Sequence, residues 1–145
     1  MAAMDFARDR ARPSELAMQL NVHSPDTAYF VRRCAEDSIT VVDRELRASF
    51  VLAADRLLEG WDASDVSALT PASVEPILSL SPEVVLLGTG ARQQFPSQAV
   101  LAAFLTRGIG VEVMDNAAAA RTFNVLAQEG RKVVAAFVLP PAVRR

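Results

Sequence analysis

The sequence has few of the side chains on which metal sites and nucleophilic catalysis usually depend. Its 145 residues contain one cysteine, Cys34, and one histidine, His23. A single cysteine excludes an internal disulfide, and one histidine with no clustered carboxylates does not make a metal site. A catalytic Cys/His pair needs hydrogen-bond contact, which nothing in the sequence predicts. We therefore predict no catalytic residue, no metal and no cofactor, and a reducing cytoplasm as the simplest location.

Long hydrophobic runs and a strong excess of either charge are also missing. Hydrophobic residues make up 51% of the chain, but they occur in short blocks, well below the roughly 18 residues of a membrane span. The net charge of −2 does not indicate the basic face that nucleic-acid binding needs. The first residues alternate charges and have no apolar stretch of a signal peptide. We expect a flexible leader at 1–13 and a single domain at 14–145, with no membrane span and no nucleic-acid partner.

Residues 82–138 carry the main structural pattern, in which strands and helices alternate. The predicted strands are 83–87, 109–114 and 133–139, and the predicted helices are 96–107 and 116–129. Continuous apolar runs are typical of strands that are covered on both faces. This order predicts a βαβαβ core, with functional loops at the strand ends.

The preceding residues favour short β-strands. The predicted elements are an exposed strand at 18–22, strands at 29–34 and 38–42, a charged loop at 43–47, and a hairpin of 49–52 with 56–61. Connections this short cannot form parallel crossovers, so we predict that 39–61 is one antiparallel layer. A short helix is expected to begin at Thr70-Pro71 and to end near Leu80, because Pro76 falls inside it.

The loop Gly88-Thr89-Gly90 follows the first core strand, and Asp115 ends the next. This arrangement is the outline of a dinucleotide-binding site. However, Gln93 occupies the third glycine position, and Pro96 delays the helix, so that its first amides would not face a pyrophosphate. We favour the simpler interpretation, in which the glycines let the chain turn off a buried strand.

The helix that follows Asp115-Asn116 has two interpretations. Either side chain can cap it. Arg121, Asn124 and Gln128 share a face that is either solvent or part of a site. A cation near a helix start is not favoured by the helix dipole, so we expect Arg121 to pair with an acid or an anion, and a surface salt bridge is the simpler pairing.

Four segments then occur in an order that is specific to one family. They read VVLLGTG at 84–90, GIGVEVMD at 108–115, AAARTFNVL at 118–126 and EGR at 129–131. This set resembles the Mth938-domain family, also called the DUF498 family. The resemblance implies a three-layer α/β fold: a mixed central β-sheet with helices and an additional N-terminal antiparallel β layer. It implies no established catalytic activity; mitochondrial relatives bind partners during assembly of the quinone-side module of respiratory complex I.

The resemblance also implies a shared surface or pocket. Its residues are Gly88, Thr89, Gly90, Asp115, Asn116, Arg121, Thr122 and Asn124. Asn116 stands where relatives often have threonine, a change that keeps the capping. The sequence therefore predicts a non-catalytic interaction or assembly factor of the bacterial cytoplasm, with protein partners from a membrane or respiratory complex. The alternative is a small-ligand or nucleotide-binding domain that uses the glycine loop, Asp115 and Arg121.

Overall fold

Two β-sheets and three α-helices make up the part of the chain that the structure describes. The computed structural model describes residues 21–23, for the backbone alone, and 28–141, so the predicted leader at 1–13 lies outside the described residues. The strands are β1 (Asn21–His23), β2 (Val31–Cys34), β3 (Ile39–Val41), β4 (Arg44–Leu46), β5 (Phe50–Ala53), β6 (Arg56–Glu59), β7 (Val84–Gly88), β8 (Gly110–Met114) and β9 (Val133–Phe137); the helices are α1 (Glu75–Leu78), α2 (Gln98–Leu105) and α3 (Asn116–Gln128).

The central sheet has six strands in the order β1-β6-β5-β9-β7-β8. Strands β9, β7 and β8 are parallel to one another, and the remaining neighbours pair antiparallel. Because β7 lies between β9 and β8, the two crossovers run in opposite directions, and right-handed connections place α2 and α3 on opposite faces. Phe104 of α2 and Phe123 of α3 accordingly belong to separate buried clusters. The predicted βαβαβ core is confirmed.

A second sheet of three antiparallel strands, in the order β2-β3-β4, lies on the α3 side. Its buried side chains Ile39 and Leu46 join the cluster around Phe123 and Leu52 of the central sheet. The prediction that 39–61 forms one antiparallel layer was therefore wrong. The hairpin β5–β6 pairs into the central sheet beside β9, whereas β3 and β4 belong to the small sheet.

The segment 43–47, predicted as a charged loop, contains strand β4. Arg44 and Glu45 are exposed and Leu46 is buried, so only one residue of this strand carries a hydrophobic signal. The central sheet, with α1 and α2 on one side and α3 and the small sheet on the other, gives the three-layer mixed α/β fold that was predicted.

A short helical segment covers the α2 side of the central sheet. Two 3-10 turns, Val66–Ala68 and Pro71–Val74, lead into α1. Pro76 occupies the first turn of α1, where its missing N–H costs no hydrogen bond. Trp61 is buried there, and its Nε1–H donates to the Ser73 carbonyl at 2.8 Å. None of the helices within 28–141 has the length and apolarity needed to cross a bilayer.

Candidate functional site

The ends of β7 and β8 meet where α2 and α3 depart toward opposite faces. This point of an open α/β sheet is where a ligand crevice is expected. Here the two chain segments remain bonded beyond the strands: Thr89 N–H donates to the Met114 carbonyl at 2.9 Å, and Asn116 N–H donates to the Gly90 carbonyl at 2.8 Å. The segments therefore do not separate into an open crevice between these strands.

The side chain of Asn116 fills the space beside the glycine loop. It is buried, its Oδ1 accepts from Gly90 N–H at 3.2 Å, and its Nδ2 donates to the Val138 carbonyl at 3.1 Å. A Cβ on Gly88 would collide with Asn116 Oδ1. Gly88 is therefore required for the close approach of an internal side chain, in the place where a pyrophosphate would pack.

Thr89 and Gly90 shape the loop itself. Thr89 is buried, and its hydroxyl donates to the Arg92 carbonyl at 2.7 Å and accepts from Gln94 N–H at 3.1 Å. Gly90 has φ of +104°, a region that favours glycine. These contacts support the interpretation that the glycine loop turns the chain off a buried strand.

Asp115 alone provides the cap of α3. Its carboxylate accepts from Ala118 N–H at 2.8 Å, whereas the Asn116 side chain points toward Gly90 and Val138. The expectation that Asn116 keeps a capping role was wrong, because its side chain is already used by the strand-end loops. The Thr122 hydroxyl donates to the Ala118 carbonyl at 2.8 Å, within the helix.

Arg121 is the one exposed member of the predicted surface. Its side chain forms no hydrogen bond or ion pair with any residue in 28–141, so the expected surface salt bridge is not found there. It acts electrostatically on Cys34, as does Asp115. The α3 helix therefore presents an exposed cation in its second turn.

Asn124 has a structural contact that the sequence did not predict. Its Oδ1 accepts from Val31 N–H at 2.8 Å, and its Nδ2 donates to the Val31 carbonyl at 2.9 Å. The amide thus binds both main-chain groups of one residue, as a neighbouring strand would. This contact fastens β2, and with it the small sheet, to α3. No side-chain pattern could reveal it, because the partner is the main chain 93 residues away.

Two shallow clefts open around the loop after β7. One has a volume of about 420 Å³ and is lined by Glu36, Asp37, Ser64, Asp65, Val66, Thr89, Gly90, Ala91, Gln94, Val138 and Pro140. The other, of about 250 Å³, is lined by Cys34, Ala35, Glu36, Gly90, Ala91, Asp115, Asn116 and Ala117. Every charged residue in these linings is acidic. Such walls disfavour nucleotides and other anions.

Cys34 lies in the smaller cleft. Burial raises the pKa of its thiol, Asp115 raises it further, and Arg121 lowers it by a smaller amount. A thiol with a raised pKa is mostly protonated at neutral pH and is a weak nucleophile. Within 28–141, no group of three or more histidine, cysteine, aspartate or glutamate side chains is placed to hold a metal ion.

Gln93, at the third position of the glycine pattern, contacts the open edge of the central sheet. Its Nε2 donates to the Val113 carbonyl at 2.8 Å, on the side of β8 that faces away from β7. The sequence gave no signal for this contact, because a glutamine in a loop has no pattern of its own.

Comparison with known proteins identifies a family. Residues 31–138 match the family described as a protein of unknown function (DUF498/DUF598). Among curated proteins, the chain is 40% identical over 87 residues to NADH dehydrogenase [ubiquinone] 1 alpha subcomplex assembly factor 3 of Danio rerio, over 59% of this chain and 50% of that protein. The chain thus spans about half the length of the curated assembly factors that it matches.

Solved structures agree with this match. An NMR structure of a Xanthomonas campestris protein is 42% identical, covers 97% of both chains and has a TM-score of 0.76. A Bordetella pertussis protein described as an Mth938-like domain is 29% identical, covers 81% of this chain and 90% of that one, and has a TM-score of 0.69. The fold is therefore Mth938-like.

Proposed function

The chain belongs to the DUF498/DUF598 family, and on that premise we propose that it is an assembly factor for a membrane-bound NADH dehydrogenase. The observation that carries this proposal is the 40% identity over 87 residues to an assembly factor named for that enzyme. The proposal places the protein in the bacterial cytoplasm, where it binds subunits before or during their assembly and catalyses no reaction itself.

The geometry of the strand ends supports binding over catalysis. The polar side chains that a ligand or a reaction would use at this site are engaged in internal contacts. Asn116 and Thr89 hold the strand-end loops, Asp115 caps α3, and Asn124 fastens the small sheet. The part of the site that remains for contact with another molecule is its outer surface.

The outer face of α3 is the surface that we propose for the partner. Arg121 is exposed, and Val125, one turn later, has 53% of its surface exposed. Arginine is enriched among the residues that contribute most of the binding energy of interfaces, and Val125 adds exposed apolar area beside it. Neither residue supports the fold from inside, so both can be changed without damage to the core.

Deletion of the gene in the source bacterium tests the function. We expect less assembled NADH dehydrogenase in native gels of the membranes and a matching loss of NADH oxidation by them. The wild-type gene should restore both, and Arg121→Glu should restore less. Arg56→Glu, at the exposed first residue of β6, makes the same charge change elsewhere on the surface and should restore both fully. Membranes of the deletion strain with normal amounts of enzyme would contradict the proposal.

The alternative, a nucleotide or small-ligand site, has less support because the clefts beside Gly90 have acidic walls. It predicts that ATP or NAD at millimolar concentration shifts the amide resonances of Gly90, Asp115 and Arg121. If these resonances do not move while the deletion phenotype is present, the assembly function stands alone.

A further inference from the structure

Strand β8 is an edge of the central sheet with main-chain groups that face outward. Thr89 N–H donates to the Met114 carbonyl, which fixes the alternation along the strand: Gly110, Glu112 and Met114 bond toward β7. Val111 and Val113 therefore direct their N–H and C=O groups away from the sheet. An open edge of this kind is a template for another strand.

Some of the outward groups are already used. The Val113 carbonyl accepts from Gln93 Nε2 at 2.8 Å, and Ile109 N–H donates to the Phe104 carbonyl at 3.1 Å. Four groups receive no partner from the residues in 28–141: N–H and C=O of Val111, N–H of Val113, and C=O of Ile109. A strand that pairs with this edge has to offer a hydrogen-bond partner to each of these four groups.

We propose that a second copy of this chain occupies the edge, antiparallel, with Val111 opposite Val111 of the other copy. In this register the two Val111 residues exchange a pair of hydrogen bonds, and each Val113 N–H meets the Ile109 carbonyl of the other copy. The groups that are already used, the Val113 carbonyl and Ile109 N–H, face each other across the pair. The four open groups are thus satisfied, while the two used groups keep Gln93 and Phe104 as partners, which the pair has to accommodate at the ends of the bonded segment.

The charges on β8 select the same register. It places Glu112 opposite Gly110 of the other copy, so that the two Glu112 carboxylates are not neighbours. A shift by two residues would set the two Glu112 carboxylates directly opposite each other, which destabilises a strand pair. It would also aim Val111 N–H at the Val113 carbonyl that Gln93 already occupies.

Two exposed apolar residues are close in sequence to residues at this edge. Phe95, 66% exposed, is two residues from Gln93, and Leu105, 63% exposed, is the last residue of α2 and four residues before Ile109. A two-fold axis perpendicular to the sheet keeps both α2 helices on the same face, next to each other. Exposed apolar side chains on this face, such as Leu105, are then available for contact beside the main-chain bonds.

Disulfide formation between two copies of the full chain tests the register directly. All variants carry Cys34→Ser, so that the introduced cysteine is the only thiol. Opposite residues of a bonded antiparallel pair have Cα atoms about 5.5 Å apart, within reach of a disulfide. Val111→Cys should therefore form disulfide dimers under mild oxidation at least tenfold faster than Val113→Cys. Val113 is the matched control, on the same strand and the same face, but its two copies would be about 13 Å apart along the strands.

Sedimentation equilibrium between about 5 and 500 µM tests the dimer without cross-linking, since a contact this small is expected to be of micromolar strength. The mass should rise toward twice that of the monomer. Val111→Pro removes an outward N–H and no bond to β7, so it should give a folded monomer. Glu112→Gln should leave the dimer unchanged. A wild-type monomer at the highest concentration, a dimer that survives Val111→Pro, a tighter Glu112→Gln dimer, or equal cross-linking of both cysteine variants would overturn the proposal.

Discussion

Replacement of Asn124 by alanine tests whether one side chain fastens the small sheet to α3. The change removes two hydrogen bonds of 2.8 and 2.9 Å and leaves the N–H and C=O of Val31 without their partner. Each bond contributes about 1 kcal/mol net, and Val31 is buried, so we expect a loss of about 2–3 kcal/mol in the free energy of unfolding. For a chain of this size that corresponds to a fall in melting temperature of roughly 5–10 °C.

The measurement is urea unfolding followed by circular dichroism, together with hydrogen exchange of the amides of β2 and β3. Exchange at Val31 and its strand neighbours should accelerate more than exchange in β7 and β9, because the lost contact holds only the small sheet. Gln128→Ala, an exposed change on the same helix, is the control and should stay within about 0.5 kcal/mol of the wild type. A loss below that limit for Asn124→Ala would refute the reasoning.

The Asn124→Asp variant tests the same contact with Val31 through the pH dependence of stability. A carboxylate can still accept from Val31 N–H, but its other oxygen would face the Val31 carbonyl, so the folded protein favours the protonated acid. The folded pKa of the new group is then raised above its unfolded value of about 4. Its stabilising contribution is complete below pH 4 and is lost as the pH rises through the folded pKa. Measured against Asn124→Ala at each pH, the aspartate variant should therefore gain stability on acidification, and a pH-independent difference would contradict the contact.

Three further predictions follow from other contacts. Gly88→Ala should lose about 1–3 kcal/mol of unfolding free energy, because its Cβ would collide with Asn116 Oδ1; denaturant titration measures it. Asp115→Ala should lose about 1 kcal/mol through the missing cap of α3, and Asp115→Asn much less. Cys34 should be alkylated by iodoacetamide with a pH midpoint above that of a free thiol; Arg121→Ala should raise the midpoint, and Asp115→Asn should lower it.

Each of these has a matched comparison. Gly110→Ala meets its nearest atom only at 4.0 Å and should not destabilise the fold. Equal losses at Gly88 and Gly110 would show that the collision with Asn116 is not the cause of the loss at Gly88. Equal effects of alanine and asparagine at Asp115 would exclude the cap as the cause. Shifts of the same sign in the two Cys34 experiments would exclude the electrostatic contributions of Asp115 and Arg121 to its pKa.

The central part of the fold is predictable from local pattern. Strands β7 and β9 are continuously apolar because both faces of each are covered, and glycine or proline marks their ends. The pairing of the N-terminal strands is not predictable in this way. Strands β3 and β5 are both fully buried, but one lies in the small sheet and the other in the central sheet. That choice depends on which distant surface each strand covers, and no residue within the strand encodes it.

Some of the predicted site residues lie at the ends of β7 and β8 and others lie further along α3, and the sequence could not show what they contact. Asn116, Asn124 and Thr89 use their polar atoms on main-chain groups, and main-chain groups are identical at every position. The family resemblance grouped these residues as one surface or pocket, without distinguishing internal contacts from an exposed surface. Only the exposure of Arg121 makes that distinction, and exposure depends on the packing of the whole domain.

The use of main-chain partners by Asn116 and Asn124 also determines how a protein of this kind can diverge. The bonds from Asn116 to Gly90 and Val138, and from Asn124 to Val31, are made to atoms that no substitution at those positions alters, short of proline at a donor. Val31 and Val138 can therefore change their side chains with no compensating change in the asparagines. In an alignment of homologues, changes at Val31 or Val138 would therefore not covary with either asparagine, even though both asparagines hold distant parts of the chain together.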